Sequence, residues 1–172
     1  MKPLVLLSIL LALTVFMGCK KDPQPLSELE KLPAATQEGK NTFGCLVDGK
    51  AWVTKSSIDA TAFYQMGILS ISAGVVNKDF YQGIQLNLFE EDLQTIEYLL
   101  NIGKNDALLS DLRYKCRYNT TPAFGGSINI THFDQSFGKW IISGTFEFEA
   151  YSEECQKTVK ITDGRFDLNY AP

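Results

Sequence analysis

From Asn41 to the C-terminus, apolar residues recur at every second position, and this spacing constrains the fold more than any other feature of the chain. Side chains two apart share one face of a strand, whereas a helix needs spacings of three and four. The clearest run is Trp140, Ile142, Gly144, Phe146, Phe148 and Ala150, opposed by Ser143, Thr145, Glu147 and Glu149. Phe43, Cys45 and Val47 alternate ahead of Asp48-Gly49, a dipeptide that favours a two-residue hairpin turn into Ala51, Trp52 and Val53. Leu69, Ile71, Ala73 and Val75 share a face, as do Ile84, Leu86 and Leu88, and Leu112, Tyr114, Cys116 and Tyr118 repeat the pattern. In the last stretch Val159 and Ile161 are apolar at odd positions but Phe166, Leu168 and Tyr170 at even ones. A β-bulge at Asp163-Gly164, with the glycine at positive φ, restores the register. The pattern predicts an all-β domain, an antiparallel sandwich or barrel of eight to ten strands joined by short turns.

The first forty residues read differently. After Lys2, an apolar run from Leu4 to Gly18 is broken only by Ser8 and Thr14. It is too short for a hydrocarbon core that needs about 20 helical residues, but has the length of a signal-peptide core. Cys19 follows directly, in the string VFMGC, which resembles the lipobox of bacterial lipoproteins, with Phe16 and Met17 where Leu and a small residue are usual. The resemblance implies cleavage between Gly18 and Cys19 and acylation of the new N-terminal cysteine. With at least two acyl chains such an anchor is stable. Residues 20–40 carry Pro23, Pro25 and Pro33 and few apolar groups, so residues 19–40 are expected to be a lipidated cysteine and tether. Ser27 and Glu30 have the spacing of a capping box, enough for one helical turn. The organisation expected is a signal peptide over 1–18, the tether over 19–40 and one β domain over 41–172.

Four blocks resemble a family of small, uncharacterised lipoproteins of the Bacteroidota: ELEKLPAATQEGKNTFGCLVDGKAW from Glu28 to Trp52, GSINITHFD from Gly126 to Asp134, ISGTFEFEA from Ile142 to Ala150 and TVKITDGRFDLNY from Thr158 to Tyr170. The resemblance implies a secreted, lipid-anchored β domain and brings no activity. Lys20 stands after the cysteine in place of the aspartate that retains some lipoproteins in the inner membrane, so the outer membrane is the expected location.

Charge and side-chain inventory exclude several functions. With 16 Lys+Arg against 20 Asp+Glu there is no basic excess for a nucleic-acid backbone. Loss of Lys2 with the signal takes the net charge from -4 to -5, which disfavours electrostatic adhesion to anionic lipid. A single histidine, His132, leaves little room for zinc or His-based catalysis, and no metal or cofactor is expected. It follows Ile128 and Ile130 and is placed on the buried face of its strand. Neither GxSxG nor SxxK occurs. If Cys19 is acylated, Cys45, Cys116 and Cys155 remain, and one disulfide plus one buried thiol is the simplest arrangement. Cys116–Cys155 is favoured, since Cys155 sits on a loop able to fold back, and the other pairings stay open. Glu90, Glu91 and Asp92 cluster in a turn, and Asp163 and Asp167 flank the expected bulge; surface turns account for them. Arg113, Lys115 and Arg117 alternate with apolar residues, which would place three positive charges on one outward, solvated face. Phe63, Tyr64, Phe80, Tyr81 and Phe89 fall near strand ends, where aromatics serve core packing or a sugar-binding rim.

These features predict a non-catalytic binding or interaction module, with an envelope protein or glycan as partner and the membrane engaged through the acyl chains. Two other classes would be a glycan or envelope-polymer hydrolase using paired carboxylates, and a barrel holding a small apolar ligand.

Overall fold

The computed structural model describes residues 25–77, 80–101, 103–136 and 138–172, so Gly18 and Cys19 lie outside the described residues. The domain is all-β. Eleven strands are named: β1 (Thr42–Val47), β2 (Lys50–Val53), β3 (Ala60–Gln65), β4 (Ile68–Asn77), β5 (Phe80–Phe89), β6 (Glu97–Leu100), β7 (Asp106–Asp111), β8 (Cys116–Asn119), β9 (Gly126–Ser136), β10 (Lys139–Ser152) and β11 (Lys157–Ala171). That is one more than the range expected, because β3, β6 and β7 are short and flanked by weak turn signals. No helix among the described residues is long and apolar enough to cross a membrane.

The strands form two layers. One runs β2-β1-β11-β10-β9-β6, and the other is the meander β3-β4-β5-β7-β8. Strands β10 and β11 are 14 and 15 residues long, enough to pair within the first layer and still reach the second. Tyr151 of β10 pairs Asn119 of β8, while Tyr170 and Ala171 of β11 pair Ala62 and Phe63 of β3. The β11–β3 pairing is parallel, unlike the antiparallel ladders around it. The two joints close the sheet, so the fold is a sandwich hydrogen-bonded along both sides, equivalently a flattened barrel. Its interior is filled by Phe43, Ile71, Leu86, Leu109, Ile142 and Ile161 among others, each at most 2% exposed. The turns 48–49, 112–115 and 153–156 gather at one end, where β4 ends and β5 begins, here the lower end; the β3–β4 turn and the C-terminus lie at the upper end.

The Asp48-Gly49 turn has φ of 49° and 76°, the positive pair that a two-residue hairpin matching strand twist requires. Met66-Gly67 does the same between β3 and β4 with φ of 51° and 74°. Methionine carries little signal for such a turn, so the sequence pattern does not mark this hairpin.

Three expectations are corrected. Leu112, Tyr114 and their neighbours are not strand residues: 112–115 is a turn with Leu112 62% and Tyr114 64% exposed. Arg113 and Lys115 therefore lie in the turn and only Arg117 on β8, so the row of three charges does not form. Second, β9 bulges opposite Ser143 and Gly144, since Ser143 pairs His132 but Gly144 pairs Ile130. The extra residue turns His132 away from the core and brings in Phe133, which packs on Tyr64 and Tyr170 with centroids 5.4 and 5.3 Å apart. Third, the β11 bulge centres on Asp163, which lies opposite Glu147 with Thr162 on the β10 side and opposite Cys45 with Gly164 on the β1 side, and Asp163 takes the positive φ, 54°, while Gly164 does not. Glycine is needed there for space: a Cβ at Gly164 would sit 2.5 Å from the Phe146 carbonyl oxygen and 2.6 Å from its ring. Gly164→Ala is expected to cost about 2–3 kcal/mol in urea unfolding, whereas Asp163→Gly should stay within about 1 kcal/mol of wild type. Equal effects would mean that conformation, not room, selects the glycine.

Residues 25–40 lie along the domain as a strap. Ser27 and Glu30 form reciprocal bonds, Ser27 N to Glu30 Oε2 at 2.8 Å and Glu30 N to Ser27 Oγ at 3.3 Å, around a single 3-10 turn, Leu29–Lys31. Glu28 Oε2 accepts the Ala51 amide of edge strand β2 at 2.8 Å, which blunts that edge. Leu32 is buried, and Arg165 donates to the Pro33 carbonyl at 3.3 Å. Gln37 Nε2 reaches the Thr131 carbonyl of β9 at 3.1 Å. The strap thus crosses the outer face of the first layer from β2 to β9. No such segment covers the outer face of the meander among the described residues.

Candidate functional site: the uncovered face of the meander

Alternation puts the polar half of β4, β5, β7 and β8 on the outside, and the register stacks them in rows. Ser70, Asn87 and Asp106 form one row, and Ser72, Gln85, Leu108 and Asn119 the next. Gly74, Gly83, Ser110 and Arg117 form a third. Asn87 organises the first: its Oδ1 accepts from Ser70 Oγ at 2.9 Å and Gln85 Nε2 at 3.1 Å, and its Nδ2 donates to Asp106 Oδ1 at 2.7 Å. These bonds hold amide and carboxylate groups in fixed positions on a half-buried surface.

Two grooves share this face and meet at Gln85 and Leu108. The first, about 360 Å³, runs between Ile58, Val76, Tyr81 and Ser110. Its floor is the directly paired Gly74 and Gly83, over which the Tyr81 ring lies: Cβ atoms added there would come within 3.3 and 3.4 Å of that ring and its hydroxyl. Tyr81 is 41% exposed, so one side of the ring is covered and part remains open. The second groove, about 500 Å³, is lined by Asn87, Asp106, Arg117, Asn119, Tyr151 and Glu154. The Tyr151 ring is stacked on Phe124 with centroids 5.6 Å apart, which fixes it at the groove wall. The face therefore combines amides, hydroxyls, both charge signs and two aromatic walls, in shallow clefts.

The cysteines, most of the acidic residues and Phe63 and Phe89 lie elsewhere. Cys116 and Cys155 are joined as a disulfide, with Cα atoms 5.7 Å apart, tying the 112–115 turn to the 153–156 turn. Cys45 is free and fully buried, and burial pushes its thiol up to about 12, so it is an inert core residue. Glu90 pairs Lys104 Nζ at 2.8 Å, and the carbonyls of Glu90 and Glu91 accept the Tyr64 hydroxyl. Asp167 is not a surface-turn residue at all. It is buried under the strap, where its carboxylate accepts from Thr36 Oγ1 at 2.5 Å, Ser143 Oγ at 2.8 Å and the amides of Glu38, Gly39 and Lys40 at 3.1, 2.8 and 3.1 Å. Burial pushes its carboxyl up, but the bonds from Thr36, Gly39, Lys40 and Ser143 outweigh it and hold the group below its ordinary range. Phe63 and Phe89 are half exposed on the upper part of the meander, 47% and 42%. No group of three or more His, Cys, Asp or Glu suited to a metal occurs among the described residues.

Glu154, at the wall of the second groove, accepts a hydrogen bond from Ser152 Oγ at 2.9 Å. Glu154 is held below its ordinary range by its own backbone amide and by the Ser152 hydroxyl, whereas a general acid at neutral pH needs the opposite shift.

Residues 40–167, almost the whole barrel, match the family model described as a domain of unknown function, DUF6252. The chain belongs to the DUF6252 family. No curated protein and no solved structure matches it. The family match begins at Lys40, so it covers every strand that builds the grooves of the DUF6252 domain, and the strap from 25 to 39 precedes it.

Proposed function

We propose that this DUF6252 protein is a lipid-anchored, non-catalytic binding module of the bacterial envelope whose ligand is a polyhydroxylated molecule, a glycan, held on the outer face of the meander. The observation that carries this reading is the asymmetry of the two outer faces: the strap covers one, while the other presents the Asn87–Asp106 row and the Tyr81 and Tyr151 walls to solvent. Planar amides and carboxylates match pairs of sugar hydroxyls, and an aromatic ring covers the apolar face of a pyranose. Cys19 after its apolar run supports the anchor, and Lys20 supports the outer membrane.

Two measurements test this. Intact mass of protein purified from native membranes should equal residues 19–172 plus acyl chains; a mass without lipid would remove the anchor. In a glycan array followed by titration calorimetry, Tyr81→Ala and Asn87→Ala should each weaken a bound glycan about tenfold, the loss of one good contact of about 1.4 kcal/mol. Wild-type protein that binds no glycan, or variants that bind as wild type does, would sink the assignment of this face.

A further inference from the structure

The strap descends as it is followed towards the N-terminus. Lys40 and Gly39 sit at Asp167, Pro33 lies against Gly44, and Glu28 is bonded to Ala51, next to the β1–β2 turn at the lower end. The chain thus leaves the barrel at its lower end. Five residues, 20–24, separate Cys19 from Pro25, and the six steps between them, at about 3.5 Å each, reach no more than about 20 Å.

The lower end carries four exposed apolar groups close together. Leu112 is 62% exposed, Tyr114 64%, Val76 68% and Ile58 82%. They are not loose. Asp111 Oδ1 accepts the amides of Arg113 and Tyr114 at 3.0 and 3.3 Å, which shapes the turn so that Leu112 and Tyr114 project. Asp111 also accepts from Gln82 Nε2 at 2.7 Å, and Gln82 Oε1 accepts Trp52 Nε1 at 3.2 Å. This chain of bonds leads from the tips to β2, where the strap leaves. The disulfide braces the turn from the other side. Arg113 lies over the Tyr114 ring at 5.2 Å, an amphipathic pairing suited to the headgroup layer.

We propose that this end is a membrane seat: Leu112 and Tyr114, flanked by Val76 and Ile58, enter the interfacial layer of the bilayer that holds the acyl chains. The proposal rests on the anchor reading of Cys19. Apolar contact drives it, since Glu153 and Glu154 share this end with Arg113 and Lys115 and the mature net charge is negative. The barrel then stands upright, with the strand axes rising from the membrane, the second groove open sideways to the surroundings and the first bounded at its Ile58–Val76 edge by the bilayer surface.

The test uses the acylated protein in phosphatidylethanolamine–phosphatidylglycerol vesicles containing lipid brominated on its acyl chains. In a Trp140→Phe background, with the emission of that parent, which retains Trp52, subtracted under the same conditions, Tyr114→Trp reports the lower end and Met66→Trp the upper, where Met66 is 88% exposed. Tips buried about 5–10 Å lie close to the bromines, so the Tyr114→Trp emission should fall about twofold and persist in high salt, with Met66→Trp unchanged. Adding Leu112→Asp should abolish the quenching while the protein stays on the vesicles. Vesicle-bound protein with equal emission from both probes would overturn the seat and leave the anchor. Protein not retained on vesicles would overturn the anchor and the seat with it.

Discussion

Asp167→Ala is expected to lower the unfolding free energy by about 3 kcal/mol and the melting temperature by roughly 10 °C. Five donors converge on this carboxylate, and it is 1% exposed. Deleting it leaves the amides of 38–40, part-buried where they meet the carboxylate, and two hydroxyls without this acceptor, and a polar group left buried and unpaired costs about 1–3 kcal/mol before relaxation. Asp167→Asn keeps the shape and one acceptor but loses the charge, so an intermediate loss is expected. The pH dependence has a fixed sign. The folded carboxyl titrates below its unfolded value of about 3.9, so its contribution is complete above that value and is lost as pH falls from about 4 through the folded value. Urea unfolding at neutral pH and near pH 3 should show the gap between wild type and Asp167→Asn narrowing at the acid end. A gap that is constant with pH would mean that the charge contributes nothing. Hydrogen exchange should in addition show residues 38–40 losing protection in Asp167→Ala, because these three residues have their amides on that carboxylate.

The second large effect concerns the disulfide. Cys116 and Cys155 close a loop with a sequence separation of 39, which in the chain-entropy account is worth about 4 kcal/mol at 25 °C. Cys116→Ser/Cys155→Ser should lose most of this in equilibrium unfolding, and reduction of the wild type should match the double variant. A loss under about 1 kcal/mol would show that the reduced unfolded chain is already restricted across the same loop. Because the bond ties 112–115 to 153–156, its removal should also loosen the lower-end turn, and exchange at 112–115 should rise. Cys45 should stay unreactive towards thiol reagents in either protein until unfolding, since its thiol is buried at 0% exposure.

Much of the fold is legible in the spacing of apolar residues because strand geometry is local. A period of two reports which side of a strand a residue takes, and along β10 and β11 that period runs long enough to show the Asp163-Gly164 phase change. It fails where local signals are weak or misleading. The row Leu112, Tyr114, Cys116, Tyr118 has the right period for a strand, yet Asp111 turns the chain by accepting two amides just ahead of it. His132 follows two core isoleucines, yet one inserted residue in β9 reverses its side. Of the candidate face, Tyr81 was visible as an aromatic near a strand end. The Ser70–Asn87–Asp106 row was not, because its members come from three strands whose register is set only by pairing.

The sequence by itself determined that the chain is all-β, that a tight turn stands at Asp48-Gly49, that β11 is bulged, and that the N-terminal apolar run ends at a cysteine. Each is a matter of neighbours within a few residues, and that is the range over which periodicity and turn chemistry act. Only the tertiary structure decided that the sheet closes at β10–β8 and β11–β3, and that Asp167 is buried beneath residues 36–40. It also decided which outer face is covered and which is open. Those outcomes depend on partners up to 132 positions apart in the chain. The alternation in β11 marks Asp167 as outward-facing, and outward means solvent only if nothing lies on top.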